Sequence, residues 1–359
     1  MPAEVFALNA HAAYACRHSG LCCTAGWTIP VDAHLLPLVG TDWLEPDAGG
    51  TCPQYDRSAH RCALHRDHGE AMLPTSCFQF PRRALIDSRG TSVALSLFCP
   101  TAASLLLECA APLRIVSAPP AFPAGRDYEG LDARDAWPPL LRRDVLFDPP
   151  SYTLWEHHVV DALGTASSSV AEALWALATR VESLRTWSLA NGPLEEWTRA
   201  CLSTSMQKGD TPPALAHRYA PFIGRAAFEA AAGAVPPGLV APAVPEPFDA
   251  LDARWVAPQW DSLAPRLLRV LAAKAFASWT AYQSRGLRTH VAELFMTASV
   301  LRVECVRACA ATARPLDAPL LNEAVRQTDR LLVHLIDRDV LMPWLGKAEE
   351  DDVDFTSRA

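Results

Sequence analysis

The sequence predicts a mostly α-helical protein, with a loop-rich N-terminal cysteine-cluster region followed by a helical body. Two observations predict this arrangement. Seven of the eleven cysteines fall within the first 99 residues, in a stretch that is rich in Gly, Pro and Asp and lacks helical periodicity. The C-terminal third instead repeats apolar side chains at spacings of three and four, which is typical of α-helices packed on a core.

The chain divides into four predicted segments. Residues 1–110 form the cysteine-cluster region, 111–152 a proline-rich connection, 153–345 a helical domain and 346–359 an acidic tail. Within the first segment, the alternating sequence SVALSLF predicts a strand at 92–98, and TAASLLLEC predicts a helix at 101–109.

The helical domain has clear start and stop signals. Ser168 or Ser169 suits an N-cap, Asn191-Gly192-Pro193 is a stop, and Gly286 suits the position after a helix end. The proline-rich stretch 236–265 is expected to be a loop packed on the body. Helices are predicted, in chain order, at 153–190 with a break near Gly164, 194–207, 214–232, 262–286, 288–313 and 317–341.

Composition excludes several classes of protein. Net charge is −8 and no basic run occurs, which argues against nucleic acid as a partner because phosphate contacts need clustered Lys and Arg. No apolar segment is long enough to predict a membrane span. The N-terminus carries Glu4 where a secretion signal would carry basic residues, so we expect a cytoplasmic protein with reduced thiols.

The N-terminal cysteines have a spacing that suggests ligands. In a reducing compartment, clustered cysteines indicate metal binding more than disulfides, although buried or redox-active thiols remain the alternative. Thiolates suit tetrahedral zinc or the irons of a 4Fe–4S iron–sulfur cluster, and a turn or a cluster would let the adjacent pair take part. The candidate metal ligands are Cys16, Cys22, Cys23, Cys52, Cys62, Cys77 and Cys99.

These cysteines lie in a run of motifs that resembles a known family. The segments YACRHSGLCCTAGWTIPVD, CPQY, RCALHRDHGE, PTSCFQFPRR and LSLFCPTAA look like the successive motifs of the cysteine-cluster family, whose signature is C-x-x-C-x-x-C-C. The last of them is similar to an element of its flagellin lysine-N-methylase branch. The match covers roughly residues 14–108. Ser19 stands where the signature has its second cysteine, so the number of ligands, and with it zinc or iron–sulfur, stays open.

The resemblance implies an enzyme that methylates lysine side chains of a protein substrate, flagellin-like or another surface protein, with S-adenosylmethionine as donor. The alternative is a non-catalytic metalloprotein with a structural zinc or a redox-sensing iron–sulfur site. Trp27, Tyr55 and Glu70 lie among the motifs and could face a cationic donor. For Trp27 the alternative, and the more frequent use of such a tryptophan, is packing over the cluster. No catalytic residue is assigned, and the oligomeric state is left open.

Other side chains near the cysteines have two interpretations each. His65 and His68 could complete a Cys/His zinc site or could form hydrogen bonds within a turn, and His18 could replace the missing cysteine. Arg82 and Arg83 could hold an anion such as a carboxylate, or could be solvated surface residues. Cys305 and Cys309 lie one helical turn apart and are expected to be core residues.

Overall fold

The computed structural model describes residues 4–117, 128–165, 168–204 and 213–350. Most of these residues are helical, and a small mixed sheet lies in the N-terminal part, which confirms the predicted fold class. The helices are α1 (Leu36–Val39), α2 (Ala63–His68), α3 (Thr75–Gln79), α4 (Pro100–Leu107), α5 (Pro149–Thr165), α6 (Val170–Arg185), α7 (Leu194–Ser203), α8 (Pro213–Tyr219), α9 (Arg225–Gly233), α10 (Phe248–Leu251), α11 (Ala257–Trp260), α12 (Ala264–Ala275), α13 (Thr280–Gln283), α14 (Leu287–Thr312), α15 (Ala318–Asp329) and α16 (Arg338–Leu345).

A five-stranded mixed sheet joins distant parts of the chain. Its strand order is β8-β1-β7-β6-β9; β1 with β7 and β6 with β9 are parallel pairs, and the others are antiparallel. The strands are β1 (Val5–Leu8), β2 (Ile29–Pro30), β3 (Trp43–Leu44), β4 (Tyr55–Asp56), β5 (Arg61–Cys62), β6 (Arg82–Asp87), β7 (Gly90–Leu95), β8 (Ile115–Ser117), β9 (Gly130–Asp132), β10 (Leu140–Arg142) and β11 (Val145–Leu146).

The strand predicted at 92–98 is present as β7, two residues earlier in the chain. Its hairpin partner β6 pairs Arg82 with Leu95 and Asp87 with Gly90, and a two-residue turn connects the two strands. Ala84 and Leu85 are both fully buried although they face opposite sides of the sheet. The sheet is therefore covered on both faces.

The core of the helical body is built around α14. This 26-residue helix matches the predicted 288–313 within a residue at each end, and it is buried along most of its length rather than on one stripe. A helix buried on all sides needs apolar neighbours on all sides. The helices α6, α9, α12 and α15 provide these neighbours.

The predicted helix at 262–286 is wrong as a single element. The chain forms α12 to Ala275, leaves the helix, and resumes one turn in α13. Ala277 has a φ of 51°, a left-handed value, and its amide donates to the buried Glu156 carboxylate at 3.0 Å. This tertiary hydrogen bond stabilises a break at a place where the local sequence favours a continuous helix.

The predicted helix at 317–341 is also divided. Asp317 caps α15 by accepting from the Leu320 amide at 3.0 Å, but residues 330–335 form a wide turn, and α16 begins only at Arg338. The break is held by Asp337, whose amide donates to the Ala234 carbonyl at 2.7 Å.

Other helix boundaries agree more closely with the sequence. Ser169 is the N-cap of α6 and forms a capping box with Glu172, and α4 lies at the position predicted for 101–109. The stretch 236–265 is only partly a loop, because helical turns begin at Phe248. The helix predicted at 214–232 is interrupted between α8 and α9.

The first part of the acidic tail is packed on the body. Residues 346–349 form a helical turn, and Glu349 pairs with Arg185 at 2.6 Å. Residues 351–359 of the tail lie outside the described residues. Within the described part of the chain, no helix combines the length and the hydropathy needed to cross a bilayer.

Candidate metal centre

All seven N-terminal cysteines line one cavity. Its volume is about 500 Å³, and its wall is built from short turns and two-residue strands rather than from long elements. The contributing residues are Cys16 after β1, Cys22 and Cys23 in a single helical turn, Cys52 in a loop, Cys62 at the end of β5, Cys77 in α3 and Cys99 at the start of α4.

Backbone contacts hold the cysteine loops against one another. The Cys23 amide donates to the Gly20 carbonyl at 3.0 Å, and the Cys52 amide donates to the Cys23 carbonyl at 2.7 Å. Gly20 has a φ of 74°, and the Tyr55 hydroxyl lies where a Cβ of residue 20 would be. Both the backbone conformation and the space therefore require glycine at this position.

The thiols are close enough to change one another's protonation. Cys22 and Cys23 have their sulfurs 3.9 Å apart, and a hydrogen bond from Cys23 lowers the pKa of Cys22 to about 7. That shared proton, and burial, raise the pKa of Cys23. Burial also raises the pKa of Cys77 to about 12, with further contributions from Cys22, Cys62 and Cys52.

These shifts describe a site that disfavours several thiolates at once. Burial likewise raises the pKa of Cys16 and of Cys52. A coordinated cation reverses the effect, because its charge stabilises the thiolates and a coordinating thiol is deprotonated outright. The set is therefore matched to a cationic ligand.

Histidine and carboxylate side chains complete the wall. His18 and His65 line the cavity with their rings 4.9 Å apart, and Glu70 lines it as well. His68, the other predicted histidine, is exposed at the end of α2 and does not line the cavity. Ser19 also lies on the wall.

An aromatic wall separates the cavity from the helical body. Trp27 lies 5.4 Å from both Phe80 and Phe98 and 5.0 Å from His334, measured between ring centroids. His334 is fixed in turn by the Ser96 hydroxyl, 2.7 Å from its Nε2, and that hydroxyl also donates to Asp329 at 2.5 Å.

Sequence reasoning did not identify Ser96, Asp329 and His334 as neighbours of the site. The aspartate is the last residue of α15, and the histidine lies in the wide turn that follows it, where the chain departs from regular α-helix. In an ordinary α-helix, residues five apart do not lie on the same face. No helical pattern could therefore have indicated that Asp329 and His334 lie together.

The cysteines of the helical body are not part of the site. Cys305 and Cys309 are fully buried on α14 among apolar side chains, which confirms the prediction that they are core residues. Cys109 and Cys201 are half-buried and packed against the same core.

The donor atoms are distributed around the wall of the cavity. Among the residues that the structure describes, no group of three or more His, Cys, Asp or Glu side chains is arranged to hold one metal ion. Thiolates on a tetrahedral zinc, at about 2.3 Å from the metal, lie about 3.8 Å from one another. In a cluster the thiolates bind different irons and are spread more widely. The sulfurs of Cys22 and Cys23, 3.9 Å apart, are compatible with either arrangement.

Comparison with protein families, with curated proteins and with solved structures finds no significant match. The chemistry of the site therefore rests on its own donor atoms. A wall of seven thiols and three imidazoles, those of His18, His60 and His65, can hold soft or borderline metals, and Trp27 and Tyr55 present aromatic faces beside them.

Proposed function

We propose that residues 16–99 bind a thiolate-ligated iron–sulfur cluster. The observation that carries the proposal is that all seven predicted ligands, spread over 84 positions of sequence, line one cavity. Cysteines that are merely buried would not be expected to lie around one cavity, whereas the ligands of one metal centre must do so. Cys22 and Cys23 are the strongest candidates because their sulfurs lie 3.9 Å apart, and the charges of Cys52 and Cys62 act on the Cys23 thiol.

The bound centre would order its own surroundings. Apart from the sheet, this part of the chain has a small apolar cluster of Leu64, Leu73 and Phe78 and several two-residue strands. Such short elements bury too little surface to fold by themselves, so ligand bonds would contribute much of their stability. When bound, an iron–sulfur cluster supplies electron transfer or a Lewis-acidic iron at the cavity.

We further propose the activity that the family resemblance implies, methylation of protein lysine side chains with S-adenosylmethionine. The residues Trp27, Tyr55 and Glu70, expected to face a cationic donor, all line the same cavity as the cysteines. An indole face and a carboxylate both attract a sulfonium or an ammonium group. The acceptor lysine must be neutral to accept a methyl group, and removal from water on entering the cavity would lower its pKa.

Two experiments test the activity. Isothermal titration of the metal-loaded protein with S-adenosylmethionine needs no knowledge of the acceptor, and Trp27→Ala should weaken the binding while Trp137→Ala, an exposed tryptophan far along the sequence, should not. Incubation with donor and a lysine-bearing surface protein such as flagellin should add about 14 Da per methyl group. Metal-loaded protein that binds no donor at millimolar concentration would exclude the methyltransferase.

A non-catalytic metalloprotein is the second candidate, and the short elements around the cavity favour it. If the centre is only structural or redox-sensing, removal of the metal with a chelator will unfold the cysteine region, and no donor binding will be found. A methylase would also unfold in this region when the metal is removed, but its metal-loaded form would bind the donor. The two measurements together separate the candidates.

A further inference from the structure

A second cavity lies between the sheet and the helical body. It has a volume of about 40 Å³, enough for a few water molecules or a small ion. Its wall is formed by β6, β7, α12, the break before α13, α14, α15 and α16, and it contains five charged side chains: Arg83, Lys274, Glu293, Asp329 and Arg338.

Two of the cations share one carboxylate. Lys274 Nζ lies 3.1 Å from Glu293 Oε1, and Arg338 Nη1 lies 3.6 Å from the same oxygen. Burial acts to raise the pKa of Glu293, but Lys274 and Arg338 outweigh it and lower that pKa to about 2. Glu293 is therefore ionised at neutral pH, and its single charge faces two positive ones.

The other carboxylate is engaged elsewhere. Asp329 Oδ2 accepts from the Ser96 hydroxyl at 2.5 Å and from the Phe98 amide at 3.1 Å. The five side chains of the wall carry one more positive than negative charge. Glu156, whose carboxylate accepts from the Ala277 amide on the wall, is already paired with Arg89 at 2.8 Å. An excess positive charge at a largely buried site favours a bound anion.

Arg83 carries this excess charge. Its guanidinium lies over the Trp279 ring, 4.7 Å from the centroid. Among the described residues no carboxylate forms an ion pair with it, although the charges of Asp329 and Glu293 act on it from farther away. Stacking on an indole fixes the plane of the guanidinium and leaves its N–H groups free to point along that plane. A fork of donors held in this way matches the two oxygens of a carboxylate or a phosphate.

We propose that this cavity binds a small oxyanion, either inorganic phosphate or the carboxylate group of a larger molecule, with Arg83 as its principal donor and Lys274 and Arg338 as supporting charges. The proposal does not rest on the metal centre. Arg82, the neighbour of Arg83 in β6, lies on the wall of the cysteine cavity instead, because successive strand residues face opposite sides of a sheet.

Isothermal titration of the full-length protein with sodium phosphate and, separately, with sodium acetate at matched ionic strength tests the proposal. We expect saturable binding of at least one of the two anions, and the one that binds identifies the source. Arg83→Gln should weaken binding at least about tenfold, since it removes a charge-assisted pair of hydrogen bonds. Arg143→Gln, which removes an arginine that is 91% exposed, should leave it unchanged.

Arg83→Lys provides a second variant that keeps the charge and the fold but loses the fork, and its affinity should lie between those of the wild type and Arg83→Gln. Absence of binding by the wild type to both anions at tens of millimolar would overturn the proposal. Equal affinities for Arg83→Gln and Arg143→Gln would overturn it as well, since the charges would then form an ion network without a ligand.

Discussion

The indole of Trp27 packs against the imidazole of His334, with their ring centroids 5.0 Å apart. The two residues are more than three hundred positions apart in the chain. One belongs to the loops that carry the cysteines and the other to the helical body. Their contact, completed by Phe80 and Phe98, is where the cysteine loops meet a rigid support.

Trp27→Ala should therefore destabilise the protein. The substitution removes a half-buried indole and opens the aromatic wall, and we expect the free energy of unfolding to fall by about 2 kcal/mol. Urea denaturation measures the change. Trp43→Ala is the control, because the Trp43 side chain is 52% exposed and should cost well under 1 kcal/mol. Equal effects of the two substitutions would contradict the role assigned to Trp27.

Cysteine substitutions should distinguish the cysteines that bind metal from those that pack in the apolar core. Cys77→Ser should lose bound metal, because its thiol lies on the cavity wall among the other thiols. Cys309→Ser places a hydroxyl in an apolar core, so it should keep the metal and cost about 1–2 kcal/mol. Metal content per chain and urea denaturation of both variants decide the matter; loss of metal from Cys309→Ser alone would mean that the site is misplaced.

Stability should decrease in mild acid because of buried histidines. Burial lowers the pKa of His11 to about 4, against the opposing effect of its hydrogen bond to the Ala102 carbonyl. An unfolded histidine has a pKa near 6.5, so the unfolded chain binds a proton below that pH while folded His11 stays neutral. The stability is present above pH 6.5 and is lost as the pH falls toward 4, by about 3 kcal/mol for this residue.

Urea denaturation of the wild type and of His11→Gln between pH 7 and pH 4.5 measures that contribution. The variant should show a smaller loss of stability in acid, although His158, His290 and His334 also have pKa values lowered by burial and will leave part of it. His157→Gln, at an exposed position on α5, should follow the wild-type profile. An unchanged slope in His11→Gln would contradict the prediction.

Glu349 should anchor the end of the described chain. Its carboxylate pairs with the buried Arg185 at 2.6 Å and accepts from the Thr289 amide at 3.1 Å. Glu349→Gln would leave Arg185 buried without a countercharge, at a cost of about 3 kcal/mol. The neighbouring Glu350→Gln, at an exposed residue, is the matched control. If thermal unfolding showed the same midpoint for both variants, the pair would have no anchoring role.

The sequence predicted best those features that depend on a long regular pattern. The helix α14 could be predicted because 26 residues repeat one periodicity, and the cysteines could be selected because their density in the first 99 residues is unusual. The breaks at Ala277 and at Asp337 could not be predicted, since distant groups, Glu156 and Ala234, stabilise them.

The orientation of two neighbouring arginines in β6 also depends on tertiary packing and could not be predicted from the sequence. Arg82 and Arg83 are adjacent in sequence, which predicts one anion site, yet β6 directs them to two different cavities. The pattern of residues 82–87 reveals a strand only after its partner β7 is known. Which face of the sheet meets the helical body depends on tertiary packing and is not encoded locally.

The central claim, that residues 16–99 hold an iron–sulfur cluster, is tested most directly by counting iron, acid-labile sulfide and zinc in protein that is expressed with both metals supplied and purified without oxygen. One 4Fe–4S cluster predicts about four irons and about four sulfides per chain, with broad visible absorption that disappears on acid treatment. About one zinc per chain without iron would contradict the cluster and keep the thiolate site, and the absence of both metals would contradict the site itself.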